Sequence, residues 1–357
     1  MTIKRVYLRD FRNYVEAVID FGPAINVLVG DNAQGKTNLL EAISLLITGR
    51  SFRTQHLSEL IRFGASSFYI EALFEKNGVE QILKFAFDGG ERKIIHNATS
   101  LPCLSALLGI LNGVILSPED RSLVKGGPQI RRHFLDLLLA QANPLYLHHL
   151  SRYLKALKQR NVLLKSRSLD TIYIWEEHMA LSAAHLTCLR YQTVEELGRL
   201  SQTETLATER LELGYRSSAL LAAGTDREAL HSYYLKQFEK HRKRECDLGI
   251  TLSGPHRDDL AILLQGKEAR LFASEGQQRG CVAALKLAQW KWLQALTEAP
   301  PSLCIDDIGV SFDPTREEEL YKRMQNLGQV FVTTARRGPS FPCKSIRVRN
   351  GSFLYEP

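Results

Sequence analysis

The stretch INVLVGDNAQGKTNLLEAISLL, residues 25–46, leaves the chain few folds to choose from. A largely apolar, β-branched run at 25–29 is followed by Gly30-x-x-x-x-Gly35-Lys36-Thr37 and then by a leucine-rich helical pattern. Strand, loop and helix in this order match a phosphate-gripping P-loop, whose glycines let backbone N–H groups converge on a phosphate at a helix N-terminus. Gly30, Asp31, Asn32, Ala33, Gln34 and Gly35 are the expected cradle. Lys36 is the cation for the β- and γ-phosphates, and Thr37 is a ligand for Mg²⁺. The expected nucleotide is ATP, and such a loop requires an α/β partner sheet.

That partner lies far downstream. SLCIDDIGVSFD, residues 302–313, is a short apolar strand ending in Asp306-Asp307, some 270 residues beyond the P-loop. A carboxylate at such a strand end can hold Mg²⁺ beside the P-loop threonine, and its neighbour can orient and deprotonate an attacking water. Lys36, Asp306 and Asp307 are therefore the candidate catalytic residues, with Thr37 and Asp306 as the metal ligands. Just before this strand, Ser274-Glu275-Gly276-Gln277-Gln278 opens another helix. Ser274, Gly276 and Gln277 form a second anion site suited to a γ-phosphate. One ATP needs only one such N-terminus from its own P-loop, so the second implies that two subunits each supply half a site.

Between these motifs the pattern changes. The first hundred residues alternate like strands at 3–11, 14–21, 68–75, 80–87 and 91–96, with one helix among them. From Ile130 to about residue 244 the chain reads as helix, and strands return from Gly249. The expected organisation is an ATPase lobe split in sequence, 1–120 and 249–357, around an inserted helical lobe, 121–248. Leu147, Leu150, Leu154, Leu157, Asn161 and Leu164, then Ile172, Trp175, Met179, Ser182, Leu186 and Leu189, form two heptad stripes expected to pack as a helical hairpin.

Charge singles out the same insertion. Residues 121–169 hold ten Lys or Arg and one acid, a net of +9 in a chain whose total is +7, so the remainder is slightly acidic. On a helical wheel the leucines share one sector and Arg152, Lys155, Arg160 and Arg167 the opposite side. Arg131, Arg132, Arg152, Lys155, Lys158 and Arg160 are the expected DNA contacts, made to phosphates because no base-reading motif is present. The six scattered cysteines show no metal-ligand spacing, and no apolar run reaches the roughly 18 residues of a membrane helix. No signal-peptide pattern opens the chain, so a cytoplasmic location is expected.

Long collinear matches then point to a family. LRDFRNY (8–14), GDNAQGKTNLLEAI (30–43), GRSFRT (49–54), LSPEDRSLVKGGPQIRRHFLD (116–136), SGPHRDDL (253–260), the serine-glycine signature and the Asp-Asp strand together resemble the RecF family of SMC-like, ABC-type ATPases. The resemblance implies an ABC/SMC-like α/β fold, ATP-dependent dimerisation, and DNA binding at gaps or single/double-strand junctions. It further implies action with RecO and RecR in loading RecA, with slow, switch-like ATP hydrolysis. The chain departs from the family pattern at Glu275, usually Gln, at Gly280, usually Thr, and at Gly309, Val310 and Phe312. No histidine follows the last strand, which reads Thr333-Thr334-Ala335. The extra carboxylate at 275 is expected to weaken dimerisation and slow turnover. The alternative, an ABC transporter subunit, would normally keep a Gln loop and that histidine, and has no use for the basic segment.

Overall fold

The computed structural model describes residues 1–203, 210–308, 314–335 and 342–355. Its compact units are 1–121 with 274–355, and 122–203 with 210–273.

The first unit carries two six-stranded sheets. One is antiparallel, built mainly from β1 (Thr2–Phe11), β2 (Tyr14–Asp20), β4 (Phe68–Lys76), β5 (Val79–Phe87) and β6 (Arg92–His96), with the short β7 (Thr99–Ser100) at its edge. Alternation such as Val6, Leu8 and Phe11 inward with Arg5 and Arg9 outward gives it one core face. The second sheet runs β15 (Ser352–Tyr355), β14 (Lys344–Arg349), β3 (Ile25–Val29), β13 (Val330–Thr334), β12 (Ser302–Ile305) and β8 (Gly113–Leu116). All its pairings are parallel except β14 with β15. Near-continuous burial of β3, β12 and β13 is what a sheet covered on both faces requires.

Helix α1 (Lys36–Thr48) follows β3 and is apolar nearly all round; Leu39, Leu40, Ile43, Leu46 and Ile47 are inaccessible to solvent. It shares one core cluster with residues of β1, β4, β5, β13 and β14, as a helix without a polar face must. The buried Gln329 ties the sheets together, its side chain exchanging two 2.7 Å hydrogen bonds with the Ile3 backbone.

The second unit contains α2 (Ser122–Lys125), α3 (Pro128–Ala142), α4 (Pro144–Ser166), α5 (Ile172–Thr203), α6 (Ser218–Ala223), α7 (Arg227–Leu248) and α8 (Ala269–Phe272). It also contains a three-stranded sheet of β11 (Lys267–Glu268), β10 (Asp259–Leu264) and β9 (Leu211–Arg216). Two expectations are corrected here. The insertion is not all helical, because LELGYR forms β9 inside the stretch assigned to helix. The lobe also ends at 273 and not 248, because β10 pairs with β9 along six residue pairs.

α4 and α5 do form an antiparallel hairpin, but the face that α4 buries shares only Leu164 with the leucine stripe. Tyr146, His149, Tyr153, Ala156, Arg160 and Leu164 point inward, whereas Leu154 is 51% exposed. The reason is a buried polar network that satisfies the tips of Tyr146, Tyr153 and Arg160. Tyr146 and Arg190 bond Asp136, Tyr153 meets His256, and Tyr215 donates to Asp258 at 2.7 Å. Burial pushes the Asp258 carboxyl from 3.8 up to about 6, although Tyr215 and Arg190 favour its charged form. A raised carboxyl pKa means that the folded chain holds this proton more tightly than the unfolded chain. The resulting destabilisation is present above pH 6 and vanishes below the ordinary value of 3.8. Asp258→Asn is therefore expected to stabilise the protein at pH 7.5 by roughly 1–3 kcal/mol, the gain fading as pH falls towards 4, read from urea midpoints of both proteins across that range.

Among the described residues no helix is long and apolar enough to cross a membrane.

Candidate functional site

The loop between β3 and α1 is shaped by backbone demands as much as by its ligand. A side chain at Gly30 would meet the Val348 carbonyl of β14 at 2.4 Å, so the glycine lets two strands approach. Gly35 sits at φ +115, and a Cβ there would press on Asn13 and the Tyr14 hydroxyl. Tyr14 donates to the Gly35 carbonyl at 2.9 Å, and Asn13 and Gly351 donate to that of Gln34. The Gln34 side chain accepts from the Asn350 N–H at 2.7 Å, while Asp31, Asn32 and Ala33 form the exposed apex. The N-cap of α1 is Gly35, which offers no side-chain cap, unlike Asn143 and Asp226, which cap α4 and α7. The first N–H groups of α1 are left for an anion.

Lys36 donates to the carbonyls of Gly30 at 2.6 Å and Asp31 at 2.7 Å. Burial lowers its pKa, against the opposing pull of Asp307, Asp306 and Asp31, and its amino group is held close to where phosphate oxygens would be received. Across the sheet, Thr37 donates to Asp306 Oδ1 at 2.9 Å although 269 residues separate them. Asp306 is 5% exposed, and burial raises its pKa. A buried carboxylate beside a threonine hydroxyl is a donor set that fits a hard divalent cation. Mg²⁺ held by Thr37 and Asp306 would neutralise charge on phosphate oxygens. Asp307 is half-buried at φ 51, its N–H bonded to the Thr333 hydroxyl at 2.7 Å.

Ser274 caps α9 (Glu275–Leu296) in a reciprocal box with Gln277: the Gln277 N–H donates to Ser274 Oγ and the Ser274 N–H to Gln277 Oε1. α9 packs beside β8, at the edge of the parallel sheet. Three strand steps separate β3 from β8, so at ~4.8 Å per step the strand that α9 packs against lies roughly 14 Å across the sheet from the P-loop strand. Glu275 is paired with Arg121 at 2.8 Å, which offsets the repulsion expected from its extra charge. Gly309, Val310 and Phe312 lie outside the described residues.

The expected DNA residues separate into three groups. Lys155 and Lys158 are exposed. Arg160 is fully buried, ion-paired with Glu176 and Glu245, and Arg131 is 6% exposed, with two 2.8 Å bonds to Asp259. Arg132 donates to the Asp258 carbonyl and Arg152 meets His178, both half-buried. Arg160 and Arg131 are thus corrected from contact residues to internal braces, because both are buried against carboxylates of other elements, Glu176, Glu245 and Asp259. The sequence analysis missed Asn13, Tyr14, Arg121 and Thr333. Asn13 and Tyr14 in LRDFRNY and Arg121 in LSPEDRSLVKGGPQIRRHFLD belonged to stretches that stood out, and Thr333 was noted only for the absence of a histidine after it.

Comparison with known proteins agrees with this geometry. Residues 2–344 match the family model described as the RecF/RecN/SMC N terminal domain. The chain is 50% identical over 339 residues to a DNA replication and repair protein RecF of Protochlamydia amoebophila, covering 94% of both chains. It is 40% identical over 336 residues to that of Chlamydia abortus, covering 94% of this chain and 92% of the relative. A solved structure of the recombination mediator protein RecF with ATP, in the RecFOR pathway, superposes with a TM-score of 0.92 at 29% identity, covering 100% of this chain and 98% of that one. With its split P-loop lobe, its Thr37–Asp306 junction and these relatives along nearly its whole length, the chain belongs to the RecF family of SMC-like ATPases.

Proposed function

We propose that the chain is an ATP-dependent DNA-binding protein of recombinational repair and replication-gap processing. ATP closes two copies into a dimer, the dimer holds DNA at a gap or single/double-strand junction, and together with RecO and RecR it promotes RecA loading. Slow hydrolysis ends the bound state. The observation that carries this reading is the Thr37–Asp306 bond, which joins the P-loop helix to the acidic strand within one chain, while the helix that Ser274 caps packs beside the edge strand β8. Relatives described as replication and repair proteins, and an ATP complex of a recombination mediator, support the same role. Gel filtration with and without ATP and a gapped duplex tests it. A chain that stays monomeric and leaves the DNA unbound under all conditions would overturn it.

For the DNA face we assign Lys155 and Lys158 of α4, together with Lys240 and Arg244 of α7. All four are exposed, and the two helices pack side by side through Arg160 with Glu245 and Arg167 with Asp247. Contacts of this kind are to phosphates and release counterions. Replacing Lys155 and Lys158 by alanine is expected to weaken duplex binding and to reduce the slope of log K against log salt by up to ~0.9 per lost contact. Titrations at several salt concentrations decide it, since weaker binding at unchanged slope would assign the loss to something other than phosphate contacts.

A further inference from the structure

Thr333 is the penultimate residue of β13, which lies between the P-loop strand β3 and the acidic strand β12. The β12–β13 register pairs Ile305 with Val332, so Thr333 lies one step on, level with Asp306. It is 1% exposed in a run that reads Val330-Phe331-Val332, where a hydroxyl costs free energy unless it is bonded. The bonds it makes are not to its own strand. The hydroxyl donates to Asp306 Oδ1 at 2.7 Å and accepts the Asp307 N–H at 2.7 Å. Asp306 Oδ1 therefore takes two hydroxyl donors, Thr37 from the P-loop helix and Thr333 from the middle strand. Asp307 is held at φ 51, a region that residues with a Cβ adopt at a cost and keep only when their surroundings impose it.

We propose that Thr333 is a positioning residue for ATP hydrolysis, one hydroxyl that sets both carboxylates. Its bond to Asp306 fixes the rotation of the carboxylate that faces Thr37. Its bond from the Asp307 N–H fixes the left-handed turn that carries the water-activating carboxylate out of the strand. It occupies the end of the strand after which many ABC ATPases carry a histidine, and it acts on the acids from within the sheet. A threonine serving only its own burial would need one partner of any kind. Here the single hydroxyl spans both acids and nothing else.

The inference rests on the ATPase reading above, so its test begins with a property that does not. In the nucleotide-free protein, Thr333→Val keeps the side-chain shape and removes both bonds, and the Asp307 amide is expected to exchange with solvent ~10-fold faster or more, while Thr333→Ser restores protection. With ATP, Thr333→Val is expected to bind nucleotide within about threefold of the wild type, to hydrolyse it ~10²-fold more slowly in a single turnover, and to leave the ATP dimer correspondingly longer-lived. Thr333→Ser is expected to recover both. Wild-type hydrolysis and wild-type Asp307 protection in Thr333→Val would overturn the proposal, as would a serine variant no better than valine. Should the valine variant fail to fold, Thr333→Ala carries the same comparison. Absence of any ATP-driven dimer or hydrolysis in the wild type would instead count against the function proposed above, and the exchange result would stand apart from it.

Discussion

Arg160→Ala is expected to destabilise the inserted lobe by about 3–5 kcal/mol, the range for removing one partner of a buried ion pair. The guanidinium is fully buried between three helices. It bonds Glu176 of α5 at 2.9 Å, reaches Glu245 of α7 at 2.7 Å, donates to the Thr251 hydroxyl at 2.9 Å and lies 4.8 Å from the Phe238 ring centroid. Removal leaves Glu245 buried with its cation gone and Glu176 with only the half-exposed Arg242, at 2.6 Å. The cost is that of uncompensated charge more than of lost attraction. Neutralising the acids as well, in Arg160→Met with Glu176→Gln and Glu245→Gln, is expected to recover most of it. Denaturant melts of the three proteins read the difference, with Lys155→Ala as a control expected within ±0.5 kcal/mol. An Arg160→Ala protein as stable as the wild type would dismiss the brace, and any DNA-binding defect would then be a contact effect.

The same residue explains what could and could not be read from the sequence. A sum of charges along 121–169 counts Arg160 and Arg131 with Lys155, since nothing local says that Glu176, Glu245 and Asp259 will neutralise two of them. Helical periodicity failed on α4 for a related reason: it sorts residues by apolarity, whereas Tyr146, Tyr153 and Arg160 are buried by virtue of hydrogen bonds to distant partners. The P-loop was legible because Gly30, Gly35, Lys36 and Thr37 stand at a fixed spacing within eight residues, between an apolar strand and a leucine-rich helix. Asp306 was legible by its type at a strand end. Thr333 was not, because its role depends on the register of β13 against β12. The lobe boundary was misplaced because the strand at 259–264 was recognised while its partner, β9, was taken for helix.

A mixture of Lys36→Ala and Ser274→Arg subunits is expected to regain ATP-dependent pairing that neither variant shows alone. Lys36→Ala removes the side-chain cation that lies over the loop carbonyls of Gly30 and Asp31, so its own P-loop holds ATP poorly, but its Ser274 is intact. Ser274→Arg places a bulky cation in the cap of α9 and leaves Lys36, Thr37 and Asp306 as they were, so this subunit is expected to bind ATP normally. In the proposed dimer the signature on α9, which packs beside β8 three strand steps from β3, meets the γ-phosphate of the other copy. A heterodimer then has one composite site made of two sound halves and one made of two broken halves. If each composite site contributes half of the ATP-dependent attraction, pairing in the mixture returns to an intermediate strength, measurable as energy transfer between donor- and acceptor-labelled subunits that vanishes without ATP. Signal from the mixture no greater than from either variant alone, where labelled wild type pairs well, would reject the shared site and leave ATP acting within single subunits. Recovery in the mixture has no such account, because neither variant carries a complete P-loop and a complete signature in one chain.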